Sequence, residues 1–421
     1  MGNPKKNNIK SILLAFTSFM LLHVSFAQEL EMDKELRKET VNQVVQMLTD
    51  KYVLPDIGKK YADLIKVNLV NGKYNNITNP HEFAEKLTVD IKEVQDDQHF
   101  RIRFDPRFIQ NMRNNLEISD EERERNRERQ LIDERRRNYG FQEVKILAGN
   151  IGYLKLNEFA SERASETAIA AIGFLTYSDA IIIDIRNNNG GCSEMTKIIG
   201  SYFFSDDYPQ EFSSIYNRIT DKIYTYKTQT YVPGKRLVNT DLYILVSEKT
   251  FSAAEAFAYD LKHLKRATIV GERTRGGAHA TKTLIVNDYF VIDMPFARAI
   301  NPITKSNWEG TGVEPDIKCE ANDALQKALS IILSILIEEN TDEYFLNKLG
   351  YSLIAEDNIN LAIEVFKKNT EIHPESSNTY DSLGEAYMLN NNKEPAIKNY
   401  KKSLELNPNN INAKKMLKKL K

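Results

Sequence analysis

Ala180-Ile181-Ile182-Ile183-Asp184-Ile185-Arg186-Asn187-Asn188-Asn189-Gly190-Gly191 is the stretch on which the fold turns. Its apolar half is too short for a helix and reads as a buried strand. Its polar half is a loop whose closing glycines let backbone amides approach a ligand closely. The same grammar repeats outward from Asn150 to about Leu325. Strand-like runs at Ile151 to Leu156, Leu242 to Val246, Ala267 to Val270, Thr283 to Val286 and Phe290 to Asp293 alternate with helical stretches at Glu162 to Thr176, Ser193 to Phe204 and Ala253 to Leu264. That alternation predicts an α/β core over residues 141–330.

Both flanks read as helical. Upstream, Leu30 to Tyr52, Ile57 to Val70 and Pro80 to Val94 carry helical patterns, the last opened by an Asn79 cap and a proline at the first helical position. From Asp120 to Arg137 seven acids and seven arginines interleave, which predicts a solvated helix laced by ion pairs. Residues 28–140 are therefore expected to form a helical N-terminal subdomain. Downstream, Leu349-Gly350-Tyr351, Ala362, Phe366 and Pro374 are matched by Leu383-Gly384-Glu385, Ala396, Tyr400 and Pro408, each 34 positions on. This pattern resembles the tetratricopeptide repeat. Residues 341–421 are thus expected to hold two repeats plus a basic capping helix, a short array that binds a protein partner.

Composition narrows the function. The 421 residues are 41% hydrophobic and 28% charged, average for a globular protein, with a net charge of −2. No positive excess marks a nucleic-acid binder. Residues 1–27 combine Lys5, Lys6 and Lys10, an apolar stretch from Ser11 to Val24, and small residues at Ser25-Phe26-Ala27, the pattern of a cleaved signal peptide. Their removal takes away three lysines and no acid and moves the net charge from −2 to −5. An exported protein without a stable membrane anchor is expected. Two cysteines, Cys192 and Cys319, either bridge or stay free, and the histidines show no metal-binding spacing, so neither metal nor cofactor is expected.

Chemistry is suggested first by Thr250-Phe251-Ser252-Ala253-Ala254-Glu255, between a strand and an Ala-rich helix. A serine there has helix amides beside it. Ser252-x-x-Glu255 is also a capping box, which supplies a purely structural role. The Gly-rich loop tips the balance, because one amide from Gly190 or Gly191 and one from Ala253 would form an oxyanion hole. A hydroxyl nucleophile also needs a base. His263 lies about 16 Å along the helix from Ser252, so the residues alone leave His99 and His279 as equals.

These elements together resemble a known family. Asp97-x-His99, Gly152-Tyr153-Leu154, Asp184-x-Arg186-x-Asn188-x-Gly190-Gly191, Thr250-x-Ser252-Ala253-Ala254-Glu255, Gly271-Glu272-x-Thr274-x-Gly276-Gly277, Asn301-Pro302-x-Thr304 and Trp308-Glu309-Gly310-x-Gly312-Val313-Glu314-Pro315-Asp316 are similar to the motifs of tail-specific (C-terminal processing) serine peptidases. The likeness is to the branch of the tricorn core and the interphotoreceptor retinoid-binding-protein repeats. It implies a crotonase/ClpP-like ββα spiral and an acyl-enzyme mechanism on peptides or unfolded protein. It also implies Ser252 as nucleophile, His99 as base, Glu309 as its supporting acid and the amides of Gly190 and Ala253 as the oxyanion hole. Activity would then rise through the usual histidine value of about 6.5.

Three departures qualify the likeness. Where the processing branch has a lysine base the chain has Gly277, no PDZ insertion is expected in residues 101–149, and Gln98 stands where the tricorn core has a serine linking base to acid. Gln98 is the expected bridge. The retinoid-binding relatives also imply an alternative, a non-catalytic carrier of a hydrophobic ligand on the same fold.

Overall fold

The computed structural model describes residues 30–117 and 119–420. The expected signal peptide therefore lies outside the described residues. The chain opens with α1 (Lys34–Lys51), α2 (Pro55–Val70) and α3 (Pro80–Lys92). Asp33 caps α1 by accepting from the Leu36 amide, and Asn79 caps α3 by accepting from His81 and Glu82, with Pro80 at the first helical position as expected. Beyond α3 the segment is not all helix: β1 (Arg101–Phe104) follows, then α4 (Pro106–Glu117) and the charged α5 (Asp120–Arg136). The four-residue β1 gives too little alternation to read alone, and its partner lies about 190 residues away.

The core then runs through β2 (Phe141–Leu147), β3 (Ile151–Leu156), α6 (Ser165–Phe174), β4 (Ala180–Asp184), α7 (Ser193–Ser201), β5 (Ser214–Asn217), β6 (Lys222–Tyr224), β7 (Asp241–Val246), α8 (Ala253–His263), β8 (Thr268–Gly271), β9 (His279–Ile285), β10 (Phe290–Ile300) and β11 (Ile317–Lys318). Helix α9 (Ala324–Glu339) passes the expected edge at residue 330, and α10 (Glu343–Ala355), α11 (Ile359–Ile372), α12 (Ser377–Leu389), α13 (Lys393–Leu406) and α14 (Ile411–Lys419) complete the described chain.

Two sheets organise these elements. The larger has the order β11-β8-β7-β4-β3-β2, parallel except for β2. In the smaller, of order β1-β10-β5-β6 with β9 also on β10, every pairing is antiparallel. This is the α/β architecture the alternation predicted. All five residues of β4 are buried because both sheet faces are covered. Ile181 and Ile183 face a core shared with α6, α7 and α8, whereas Ala180 and Ile182 face one shared with α9 and the helices that follow. Alternation of side chains across the pleat makes this division, and each fully buried Ile contributes about 1.5–3 kcal/mol. Helices α1 to α3 pack instead on β1 and β10.

The C-terminal helices do not stand apart. Leu346, Leu349 and Phe366 belong to the same core as Ile151, Tyr153 and Leu245, and the Ala148 amide donates to Glu356 at 2.8 Å. Within each helical pair a glycine meets an aromatic ring 16 residues on: a Cβ at Gly350 would stand 2.4 Å from Phe366, and one at Gly384 would stand 3.0 Å from Tyr400. Cys192 and Cys319 are free thiols, each packed at the edge of a different core.

Candidate active site

Ser252 is placed by two loops that hold each other. The loop after β7 is tied to the loop after β4 by Thr250 Oγ1 donating to the Ile185 carbonyl at 3.0 Å and by the Phe251 amide donating to the Asn188 carbonyl at 3.1 Å. Ser252 itself has φ 55° and ψ −121°. A non-glycine residue with positive φ costs of order 1–3 kcal/mol and persists only where its surroundings impose it, as at a nucleophile turn between strand and helix. Ser252 and Glu255 close the expected capping box, the Glu255 carboxylate accepting from the Ser252 amide at 2.9 Å. A hydroxyl that accepts in such a box keeps its own O–H to give.

The Gly-rich loop reaches Ser252 from the other side. A Cβ on Gly190 would stand 2.8 Å from the Ser252 Cβ and 2.9 Å from the Ala253 nitrogen, so only glycine allows this approach. The Gly190 amide, however, donates to Asn188 Oδ1 at 2.8 Å, and its φ of 100° aims it that way. The amides of Gly191 and Ala253 donate to no described residue. Those two are the open donors beside the serine, and Ala253 opens α8, where the first amides of a helix lack internal partners and its dipole favours negative charge.

The two histidines sit differently. The His99 ring stacks on Phe251, centroids 4.4 Å apart, and its buried Nδ1 has no hydrogen-bond partner. Gly277 lies against the same stack; a Cβ there would come within 2.5 Å of the His99 ring and 2.2 Å of Phe251. Burial lowers His99 to about 4, Asp97 working against this and His279, Arg275 and Lys92 adding to it. His279 lines a cavity of about 150 Å³ together with Ser252, Ala253 and Gly277. Its Nδ1 stands 2.7 Å from Asp97 and 3.7 Å from Glu309.

Glu309 therefore touches His279 and the main chain rather than His99. It accepts from the amides of Ala278 at 2.6 Å, His279 at 3.0 Å and Gln98 at 3.3 Å. Burial raises its carboxyl to about 6 against the pull of His279 and those amides, with Asp97 adding to the rise. The Gln98 side chain donates to Asp96, so the expected Gln98 bridge is made only by its backbone. Asp97 was missed as a site residue. It accepts from His279, from the Tyr52 hydroxyl at 2.8 Å and from the His99 amide at 3.0 Å. Burial alone would raise the Asp97 carboxyl, but the hydrogen bond and charge of His279 hold it below its ordinary value.

Asp97, His279 and Glu309 bring ligand atoms within 4.8 Å of one another, the one such group among the described residues. Those atoms are committed to each other, to Tyr52 and to backbone amides, which makes the group a hydrogen-bonded clamp between β9 and the turn before β1.

Residues 150–319 match the profile described as "Peptidase family S41". The chain carries a peptidase family S41 domain. Ahead of that S41 domain, residues 27–132 match the N-terminal domain of peptidase S41 in eukaryotic IRBP, and residues 377–410 match the tetratricopeptide repeat. Among curated proteins the S41 region is 26% identical over 170 residues to carboxyl-terminal-processing peptidase 3, chloroplastic, of Arabidopsis thaliana, covering 40% of this chain and 31% of that protein. It is 25% identical over 184 residues to carboxy-terminal processing protease CtpB of Bacillus subtilis (strain 168), covering 43% and 36%. The chain thus spans about a third of the length of these relatives. Among solved structures, the photosystem II D1 C-terminal processing protease is similar over 41% of this chain and 42% of that one, with 26% identity and a TM-score of 0.34.

Proposed function

We propose that the S41 domain is a serine peptidase acting on peptides or unfolded protein segments through an acyl-enzyme. The observation that carries this reading is the strained backbone of Ser252 on a cavity it shares with Gly191 and Ala253, whose amides are open. His99 takes the Ser252 proton as Oγ bonds to the substrate carbonyl carbon. The amides of Gly191 and Ala253 receive the oxyanion, and His99 returns the proton to the leaving amine as the C–N bond breaks. Water repeats the sequence and frees the serine. His99 is supported by its seat on Phe251 and by an Nδ1 that nothing else in the fold uses. Glu309 serves as a positioning residue that ties Gln98 to the Gly277–His279 turn.

A specific observation favours a second base: His279 lines the serine cavity and is oriented by Asp97. Labelling with a fluorophosphonate, followed by mass mapping, separates the two. The expected result is an adduct on Ser252 in wild type and in His279→Ala, absent in Ser252→Ala and His99→Ala. An adduct that survives loss of His99 and disappears with His279 transfers the base role. No adduct on folded protein favours the ligand carrier, although a cavity of about 150 Å³ is small beside the roughly 300–1,000 Å³ usual for small-molecule sites. Export rests on the pattern of residues 1–27, and a mature N-terminus at Gln28 in the secreted fraction would be its signature. Binding of a protein partner by the C-terminal repeats rests on the 34-residue period.

A further inference from the structure

Positive charge gathers on the last two helices. Residues 393–421 hold nine lysines against Glu394 and Glu405, a net charge of +7, which leaves −12 on residues 28–392. Sign asymmetry of that size along one chain points to an interaction surface. Of these lysines Lys402 alone meets an acid among the described residues, Glu405 at 3.3 Å. The four on α14, Lys414, Lys415, Lys418 and Lys419, are exposed and pair with nothing described.

Helical periodicity sorts α14 into two faces. At about 3.6 residues per turn, Ile411 and the four lysines share one side, while Ala413, Met416 and Leu417 share the other. The second side packs with Tyr400 and Leu404 of α13, in a small core separate from the one that lines the sheet. The first is left to solvent, with Ile411 80% exposed amid the lysines.

The residue types indicate what covers that face. No arginine follows Arg298, so the charge is all lysine. An ammonium is a hydrated point charge without the planar fork that fixes one carboxylate or phosphate, and it suits many anions spread over a plane. Tyr400, the one aromatic residue of 393–421, is fully buried, which leaves the bases of a nucleic-acid strand no ring to stack on. An exposed isoleucine ringed by lysines matches a surface with anions outside and hydrocarbon beneath.

We propose that the outer face of α14 docks reversibly on a phospholipid surface rich in anionic headgroups, its lysines among the headgroups and Ile411 entering the interface. The net negative charge of residues 28–392 is repelled by the same surface, so the molecule stands on this tip. The inference does not depend on the peptidase reading.

The chain from Gln28 onward, free of the basic and apolar stretch of residues 1–27, would be sedimented with vesicles of phosphatidylcholine alone and with about one-third phosphatidylglycerol. Each lysine near an anionic surface is worth about fivefold in binding, so the anionic vesicles are expected to bind at least tenfold more tightly. That gap should fall below about threefold in Lys414→Gln/Lys415→Gln/Lys418→Gln/Lys419→Gln and at about 0.5 M salt, where screening is short-ranged. Ile411→Ser should weaken binding about fivefold and leave its salt dependence unchanged. Equal binding to both vesicles, or a gap indifferent to the four lysines, overturns the proposal. Loss of Ile411 without effect, together with tight binding of polyglutamate or a short DNA duplex, assigns the face to a soluble polyanion and overturns it too. Thermal melting checks the fold of the quadruple variant, and the salt and Ile411 arms decide the matter without it.

Discussion

At the scale of single residues, Gly277 shows how one missing side chain makes room for a pair of rings. The processing branch that the sequence resembles has its lysine base at this position, and here the space a Cβ would enter is filled by the His99 and Phe251 rings. Gly277→Ala should therefore displace the ring pair and lower kcat/KM more than tenfold while changing Tm by only a few degrees, as measured by turnover and calorimetry; unchanged turnover would detach His99 from the chemistry. The same burial sets the pH response. A base must be neutral to accept a proton, and with His99 lowered to about 4 kcat/KM should rise with pH through about 4 and stay level from 5 to 8. The sequence alone suggested about 6.5, because an unburied histidine titrates there. An acid limb measured near 6.5 would mean that the base is not the buried His99.

The turn at Ser252 and the glycine loop were legible because a strand, a tight turn and a helix start leave a local signature, whereas Glu309 came only from the resemblance, as a support for His99, and stands instead against His279. Asp97 was not legible, since its partner His279 is 182 positions away and nothing local announces their meeting. Nor was the aim of the Gly190 amide, which depends on the side chain of Asn188.

At the scale of elements, strands buried on both faces were readable from their apolar runs, whereas β5 and β6, of four and three residues, carry too short an alternation. Segment 101–149 was dominated by the charge pattern of α5, which hid α4 and β2. The 34-residue period was readable because close helix packing repeats its steric demand. Alanine normally improves a helix over glycine by about 1 kcal/mol, but at Gly350 a Cβ would enter the Phe366 ring at 2.4 Å, closer than the 3.0 Å between Gly384 and Tyr400. Gly350→Ala should therefore lower stability by about 1–3 kcal/mol, and Gly384→Ala by less. Thermal melts that rank them the other way would mean that the two pairs are not packed alike.

At the scale of the whole molecule, the C-terminal helices act as a wall of the S41 domain. A Cβ at Gly149, in the turn between β2 and β3, would meet Leu333, Leu336 and Leu349 within 3.4 Å. Deletion of residues 341–421 should lower Tm by more than 5 °C, with new exposed apolar surface detectable by dye binding; an unchanged melting curve would show that α9 alone closes the sheet.

That shared wall also orders events during synthesis. Strands β3 and β4 leave the ribosome well before α10 and α12, the last helices to enter their core, and domains fold as units when their chain is complete. The two loops that strain Ser252 follow β4 and β7 of this sheet, so the geometry proposed for Ser252 is completed only after α10 and α12 have been made. Under the proposed function, a nascent chain that lacks those helices would not yet present a reactive serine.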